Sequence, residues 1–353
     1  MAGCDGKVPR PKSRVSIGIL RRALPGLGLL AVSSPALAQL VPGSMDVHWY
    51  EGQADCASSR QPPLQLHRYN ERTFLLRENI CITFEAPFLY LLNGSQKALL
   101  IDTGDVADTK RMPLSKTVMD LLPNSASGKL PLLVVHTHRH LDHRAGDVQF
   151  EGLPRVQVVG FDIDSVRNFY HFSDWPDGLA QIDLGDRSID VIPTPGHNET
   201  EVSFYDRETG LLFSGDFLLA GRLLIDDTSA DLLSAERVRA FAEAHPVSYV
   251  LGGHIELNSD GETFPWQSQF HPREHLLQLG KEDLLALPAA IRRFNGFYTI
   301  SGKYTLMNSM RVLLAQAAAV VVAVAGLLVV LLRYLRRLKR ARGERAAGQS
   351  GRV

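Results

Sequence analysis

The stretch His136–His143, HTHRHLDH, places four histidines and one aspartate within eight residues. It follows directly on the apolar run Leu132–Val135, which is typical of a buried strand. Histidine has no special value for packing, so the cluster is either a solvated group without function or part of a metal site. A metal site needs further ligands from elsewhere in the chain, because one short loop rarely completes the coordination shell.

Three later loops carry residues of the same kind. They are His197 in PTPGHNE, Asp216 in FSGDF and His254 in VLGGHIE. Each follows a predicted strand and lies beside glycine, which permits tight turns and close approach of the backbone. A rigid sheet can hold the loops at its strand ends close together. A lone histidine beside a turn is usually structural, but four loops with ligand-type residues predict one metal site.

In this order the motifs resemble those of the metallo-β-lactamase fold superfamily, over roughly residues 66–287. THRHLDH matches the family's His-x-His-x-Asp-His signature, and TPGH, SGD and GGH follow in the family's order. LLIDTG, around Asp102, matches an upstream motif whose aspartate supports the site by hydrogen bonds. The resemblance implies an α/β fold, a four-layer αββα sandwich with the metals at one edge of its two sheets.

The resemblance also implies seven ligands for two metal ions. They divide into three sets: His138, His140 and His197 at the first metal, Asp142, His143 and His254 at the second, and Asp216 bridging both. Imidazole and carboxylate ligands without thiolate favour two Zn²⁺ ions, with iron or manganese as alternatives. His136 lies before the signature, so we expect it to pack against or support the ligands rather than bind metal.

For the reaction, the resemblance implies hydrolysis by a hydroxide that bridges the two metals. Asp142, the predicted catalytic residue, would orient this hydroxide and carry a proton to the leaving group. An aspartate at position 216 resembles glyoxalase II-type thioesterases and lactonases, whereas β-lactamases typically have cysteine or a non-bridging residue there. We therefore predict a metallo-hydrolase with a small-molecule thioester or lactone substrate.

Several alternatives stay open. They are a mononuclear iron dioxygenase of the same fold, a β-lactam hydrolase and an inactive scaffold. The flavodiiron branch is disfavoured, because it has glutamate where this chain has His140. Arg222, Trp266 and His271 lie in segments that we expect to frame the pocket, but as surface-loop residues they are assigned no role.

The N-terminus has the pattern of a secretory signal over residues 1–38. Basic residues precede the apolar stretch ALPGLGLLAV, and small residues end it at Ala36 and Ala38. Arg21 and Arg22 resemble a twin-arginine export signal. An uncleaved anchor or a disordered leader is the alternative.

The C-terminus predicts a transmembrane helix over residues 312–332. This stretch of 21 residues has no charged side chain and only one polar one, Gln316, and at about 1.5 Å per residue it spans a bilayer core of about 30 Å. Seven basic residues follow within 333–345, and positive flanks stay on the cytoplasmic side. We therefore expect a single-pass protein of the cell membrane, with an extracytoplasmic (periplasmic) catalytic domain and a basic cytoplasmic tail over residues 333–353.

The remaining divisions are an irregular entry segment over 39–65, the catalytic domain over 66–287 and a linker over 288–311. Residues 39–310 contain 23 Lys/Arg and 36 Asp/Glu, a net charge of −13, which argues against a nucleic-acid partner. Cys56 and Cys81 form one disulfide if the compartment is oxidising, or are two unrelated thiols.

Within the domain we expect strand-like runs at 80–86 and 88–94, and helices over 234–244 and 272–286. The sequence predicts no oligomeric state.

Overall fold

The computed structural model describes residues 39–126 and 128–350, with only the backbone for 341–350. The predicted signal segment, residues 1–38, lies outside the described residues, as do the last three residues of the predicted tail.

The strands follow one another along the chain as β1 (Leu64–Asn70), β2 (Thr73–Glu78), β3 (Phe88–Asn93), β4 (Ala98–Ile101), β5 (Asn124–Ser125), β6 (Gly128–Lys129), β7 (Leu132–Val135), β8 (Val156–Val158), β9 (Ala180–Asp183), β10 (Ser188–Pro193), β11 (Val202–Asp206), β12 (Leu211–Gly215), β13 (Arg222–Leu224), β14 (Tyr249–Gly252), β15 (Gln278–Leu279), β16 (Tyr298–Ser301) and β17 (Tyr304–Met307). The helices are α1 (Leu114–Leu121), α2 (Ile163–Tyr170), α3 (Thr228–Ala244), α4 (Lys281–Arg292) and α5 (Ser309–Ser350).

Two mixed sheets of six strands form the centre of the fold. The first has the order β1-β2-β3-β4-β7-β8 and the second the order β15-β14-β12-β11-β10-β9. The parallel pairs are β4 with β7, β7 with β8, and β12 with β14. The expected αββα metallo-β-lactamase fold is thereby confirmed.

Strand β3 shows how sequence alternation builds the layers. Phe88, Tyr90 and Leu92 belong to the core between the two sheets, whereas Leu89 and Leu91 pack with α1 on the other face. Successive side chains of a strand point to opposite faces, and all five are fully buried here. A strand covered on both faces therefore needs a continuous apolar run, which FLYLL supplies.

The sheet topology brings the predicted metal loops to one edge. In the second sheet β10, β12 and β14 run in the same direction, because β11 is antiparallel to both β10 and β12, and β14 is parallel to β12. Their carboxyl ends therefore lie at the same edge, and the loops with His197, Asp216 and His254 follow them directly. In the first sheet β7 ends at Val135, immediately before the histidine cluster.

Residues 288–311, expected as a linker, contribute to the folded domain. They contain the end of α4 and the strands β16 and β17. β17 pairs in parallel with β13 and antiparallel with β16, and Tyr304 and Leu306 are buried in the apolar cluster beneath α3 and α4. The apolar alternation of β17 is short, and one of its two partner strands, β13, is distant in sequence.

Local predictions are wrong at residues 80–86 and 272–280. Residues 80–86 form turns rather than a strand, because the side chain of Asn79 accepts a hydrogen bond from the backbone N–H of Cys81, 2.8 Å away. Residues 272–280 are irregular apart from β15, and α4 begins only at Lys281. Cys56 and Cys81 are joined in a disulfide, which fixes the entry segment to these turns.

Helix α5 contains the predicted transmembrane segment. Ser309–Arg340 is long enough to cross a membrane, and an 18-residue window within it has a mean hydropathy of 2.6 and no burial against the rest of the protein. The apolar side chains from Val320 to Leu332 are about half to two-thirds exposed. A helix that is apolar all round and packs on nothing is typical of a membrane span.

Candidate metal centre

All seven of the predicted ligands converge at the shared edge of the two sheets. Among the described residues, His/Asp side chains whose ligand atoms lie within 4.8 Å of one another form two groups: His138, His140 and His197 in the first, and Asp142, His143, Asp216 and His254 in the second. This is the division that the sequence predicts, with Asp216 counted in the second group. The roles of these residues as ligands stay a prediction.

In the first group, three ring nitrogens face one point. His140 Nδ1 lies 2.9 Å from His138 Nε2 and 3.0 Å from His197 Nε2. His138 and His197 are buried, and His140 is half-buried. Three imidazole nitrogens so close together have no donor–acceptor pattern that satisfies all of them, but they suit a cation with tetrahedral nitrogen ligands.

In the second group, two imidazoles face two carboxylates. Asp142 Oδ2 lies 3.3 Å from His254 Nε2 and 3.4 Å from His143 Nε2. Asp216 Oδ1 lies 3.6 Å and 3.5 Å from the same two nitrogens. The four side chains thus enclose a second point with mixed nitrogen and oxygen ligands.

Asp216 lies between the two groups. Its Oδ1 faces His143 and His254, and its Oδ2 lies 3.7 Å from His197 Nε2. Oδ1 is buried and makes no hydrogen bond, which is costly unless a cation takes the place of a donor. A methyl group on Gly253 would lie 2.6 Å from this oxygen and 2.8 Å from His143 Cε1, so glycine there keeps the space open. The residues therefore fit a pair of bridged divalent ions.

Hydrogen bonds behind the two groups orient the rings. His197 Nδ1 donates to the carbonyl of Leu224 at 2.9 Å, and His254 Nδ1 donates to the carbonyl of Glu85 at 2.7 Å. Asp102 Oδ2 accepts from His143 Nδ1 at 2.9 Å. Each bond leaves Nε2 free to face the centre, as is usual for metal-binding histidines.

Asp102 has the supporting role that the resemblance implied. It adopts a positive φ of 65° and is buried. Its Oδ1 accepts from the backbone N–H of Thr137 at 2.7 Å, and its Oδ2 also accepts from the Thr137 hydroxyl at 2.8 Å. A single carboxylate thus fixes both the start of the histidine cluster and the ring of His143.

The protonation of the second group follows from its charges. Burial favours neutral histidine, but Asp216 and Asp142 raise the pKa of His254 to about 10. Burial also favours the neutral form of Asp142, yet His143 and His254 hold the pKa of this carboxyl well below its usual range. The carboxylates are therefore ionised and demand positive charge, which a divalent cation supplies more compactly than two imidazolium rings.

A cleft of about 170 Å³ opens beside the two groups. Its wall contains side chains of both groups and, in addition, Glu85, Arg222, Leu224, Glu256 and Trp266. Arg222 pairs with Glu256, at 3.1 Å between Nη1 and Oε1, and Trp266 is 58% exposed. Arg222 and Trp266 are therefore cleft residues, to which the sequence assigned no role.

His136 and His271 lie outside both groups. His136 Nε2 contacts Asp147 Oδ1 at 2.8 Å, in agreement with the expected packing or supporting role. His271 is buried, stacks on Phe264 at 4.0 Å between ring centres, and contacts Glu274. His271 thus supports the loop that carries Trp266.

Two supporting glutamates had no signal in the sequence. The carbonyl of Glu85 positions His254, and the buried Glu201 accepts from the backbone N–H of Asp216 at 3.1 Å. Glu85 lies in the turns that were expected as a strand, and Glu201 stands at the start of an apolar strand. A buried carboxylate beside a site can be found from the sequence only when its partners are known.

Comparisons with known proteins agree with this geometry. A family model described as metallo-beta-lactamase superfamily matches residues 82–273. The chain is similar to the acyl-coenzyme A thioesterase MBLAC2 of Gallus gallus, with 29% identity over 217 residues, 52% of this chain and 78% of that protein. It is also similar to a hydroxyacylglutathione hydrolase of Synechococcus sp., with 27% identity over 219 residues, 60% of this chain and 83% of that protein.

Among solved structures, a metallo-beta-lactamase from Pontibacter korlensis aligns with a TM-score of 0.41 and 20% identity, over 64% of this chain and 99% of that one. Both sequence relatives above are named as hydrolases, so the expected reaction class is confirmed. The family model spans more than half of the 353 residues. This protein belongs to the metallo-β-lactamase superfamily.

Proposed function

We propose that the protein is an exported, membrane-anchored hydrolase that holds two divalent metal ions, zinc before iron or manganese, and cleaves a thioester or lactone. The observation that carries this proposal is the position of Asp216, whose two carboxylate oxygens face two different groups of ligand-type side chains. A site for one metal has no need of such a residue. The absence of thiolate from both groups favours zinc with nitrogen and oxygen ligands over softer metals.

In this proposal His138, His140 and His197 would hold one ion, Asp142, His143 and His254 would hold the other, and Asp216 lies where it could serve both. Two divalent ions supply an activated water at neutral pH and stabilise negative charge that develops on the substrate. The chain itself keeps the ligand rings fixed through Asp102, Leu224 and Glu85. Fixed ligands matter because a loosely held site loses affinity and rate together.

Asp142 is the residue that moves a proton. Its side chain is 22% exposed and lines the cleft, so one carboxylate oxygen reaches the space where a substrate binds. An ionised carboxylate at this point can orient a water and accept its proton at Oδ1 or Oδ2, then pass it to the leaving group.

The wall of the cleft favours an uncharged acyl group. Arg222 and Glu256 pair with each other, so their charges cancel, and burial raises the pKa of Glu85 to about 7. Trp266 and Leu224 offer apolar surface. Among the described residues that line the cleft, Arg222 is the one arginine or lysine, and its charge is already taken by Glu256, so a phosphodiester anion finds no free cationic side chain of this kind. The acyl part of a thioester or lactone fits beside the aromatic ring. The names of the two relatives, a thioesterase and a hydroxyacylglutathione hydrolase, support the same bond type.

The membrane placement rests on both ends of the chain. A signal-like N-terminus, an exposed apolar helix over Ser309–Arg340 and a basic stretch after it support one span with the catalytic domain outside the cytoplasm. The disulfide between Cys56 and Cys81 supports an oxidising compartment for this domain.

Purified full-length protein in detergent, assayed against acyl thioesters, lactones, β-lactams and phosphodiesters, tests this function. We expect turnover of a thioester or a lactone, with loss of at least a hundredfold in kcat for Asp142→Asn, an order of magnitude typical for a group that moves a proton. If the protein hydrolysed only the β-lactams, the proposed substrate class would be wrong. If the protein contained a single iron and consumed dioxygen, the proposed hydrolysis would be wrong and the protein would be an oxygenase.

A further inference from the structure

A short hairpin connects the metal cleft to the start of the candidate membrane helix. Leu224 lines the cleft, and its carbonyl accepts a hydrogen bond from His197. Leu224 is paired in register with Met307 of β17, and α5 begins two residues later at Ser309. Paired strands lie about 4.8 Å apart and two residues span at most about 7 Å. The first turn of α5 therefore lies close to the wall of the cleft.

The level of the membrane surface is set by the first turn of α5. The uncharged stretch begins at Val312, directly after Arg311, and a charged side chain at the end of a span lies in the interface. Arg311 Nη1 donates to the carbonyl of Gly296 at 3.4 Å, and the backbone N–H of Asn308 donates to the carbonyl of Phe297 at 3.0 Å. Gly296 and Phe297 thus lie at the same level as the beginning of the span.

Large apolar side chains are exposed at this level. Phe297 is 48% exposed, Tyr298 41%, Ile300 68% and Met310 60%. Tyr298 and Ile300 are two residues apart on the edge strand β16, so they share a face. Phe and Tyr with an aliphatic neighbour, next to the end of an apolar helix, have the chemistry of an interfacial anchor.

We propose that the segment Gly296–Met310, named here the juxtamembrane hairpin, rests in the lipid interface of the bilayer and holds the metal cleft at the membrane surface. This inference rests on the membrane anchoring proposed above. The occupant of the apolar surface is lipid, because the surface is continuous with the helix that enters the bilayer. The cleft would then meet substrates that partition into the membrane, such as long-chain acyl thioesters.

A spin label tests the contact between the juxtamembrane hairpin and lipid independently of activity. The full-length protein is reconstituted in phosphatidylcholine vesicles with a nitroxide on one introduced cysteine. The three variants are Ile300→Cys, Val322→Cys in the middle of α5, and Leu66→Cys in β1. Leu66 is 43% exposed and serves as the aqueous control. We expect Ile300 and Val322 to be accessible to dioxygen and shielded from an aqueous nickel chelate, and Leu66 to show the reverse.

The three positions separate the two proposals. A label at Val322 that is open to the nickel chelate would contradict the membrane span itself. If the label at Val322 is in lipid but the label at Ile300 is as accessible to the nickel chelate as the label at Leu66, the span is intact. The contact between the hairpin and lipid is then contradicted.

Activity gives a second test of the same contact. The double variant Tyr298→Ser/Ile300→Ser should lose about tenfold in kcat/KM on a long-chain acyl thioester in vesicles, because serine at both positions removes the apolar surface that the lipid interface would bury. Turnover of a short-chain, water-soluble thioester should be unchanged, as should both activities in Leu66→Ser. Equal activity of the double variant and the wild type on the long-chain substrate would contradict the proposal.

Discussion

Asp102 Oδ2 lies 2.9 Å from His143 Nδ1, and this contact turns the other nitrogen of the ring toward Asp142 and Asp216. Both side chains are buried. Asp102 is held in turn by the N–H and hydroxyl of Thr137, one residue before His138. The contact therefore ties the two groups of ligand-type residues to a single carboxylate that lies outside both groups.

Asp102→Asn should lower the affinity for divalent metal by about 10–100-fold, the usual effect of losing a partner of a metal-binding histidine. The amide keeps the size of the side chain but removes the charge that orients His143. Competition with a fluorescent zinc chelator measures the change. Asp190→Asn serves as a control, because Asp190 is a buried carboxylate paired with Arg207 away from the site. Equal affinity of Asp102→Asn and the control would contradict this role.

His136 and Asp216 should respond in opposite ways to removal of the side chain. Asp216→Ala removes the carboxylate between the two groups, so we expect loss of metal and of nearly all activity. His136→Ala should keep metal and activity, but should lose about 1–3 kcal/mol of stability, because Asp147 loses a buried partner. Metal analysis and thermal unfolding of both variants check this. Equal loss of metal in the two variants would mean that the cluster is aligned wrongly.

Glu78 should make stability depend on pH. Burial raises the pKa of Glu78 to about 8, whereas in the unfolded chain glutamate titrates near its ordinary value of about 4.3. The unfolded state therefore releases this proton at a lower pH than the folded state, and the contribution of Glu78 to stability falls as pH rises from about 4.3 to about 8. It is fully present only below that window.

Glu78→Gln should remove this part of the pH dependence, with a gain in stability relative to wild type that is larger at pH 8 than at pH 5. Urea unfolding at the two pH values measures the gain. Glu71→Gln is the matched control, because the Glu71 side chain is 88% exposed. A pH dependence unchanged by Glu78→Gln would contradict the assignment.

The disulfide should stabilise the domain. It closes a loop with a sequence separation of 25 residues, for which restriction of the unfolded chain gives about 3 kcal/mol. The double variant Cys56→Ser/Cys81→Ser should therefore unfold at a lower temperature than wild type, and a reducing agent should lower the Tm of wild type to the same value. Insensitivity of the wild-type Tm to reductant would contradict the contribution of this bond.

The sequence predicts the sheets and the grouping of the site residues because both depend on local patterns. Runs such as Leu132–Val135 identify buried strands, and the ligand-type residues follow their ends directly. Helix α3 was expected from Ser234 but begins at Thr228, where Asp227 caps it by accepting from Ser229 and Ala230. The cap lies in a stretch that composition alone assigns to a loop.

What the sequence does not predict depends on contacts across the chain. Arg222 and Trp266 join one cleft although they are distant in sequence, and the loop of Trp266 is held by Glu274, which pairs with the buried Arg77. Residues 288–311 resemble a linker in sequence, but in the structure their strand β17 pairs with β13. Neither pairing has a signature within a short window of sequence.

Metal content of the purified full-length protein is the most direct test of the central claim, that seven side chains hold two ions with Asp216 between them. Elemental analysis of protein loaded with zinc should give close to two ions per chain for wild type and a clear loss for Asp216→Ala. One ion per chain, or the same content in wild type and Asp216→Ala, would contradict a bridged pair.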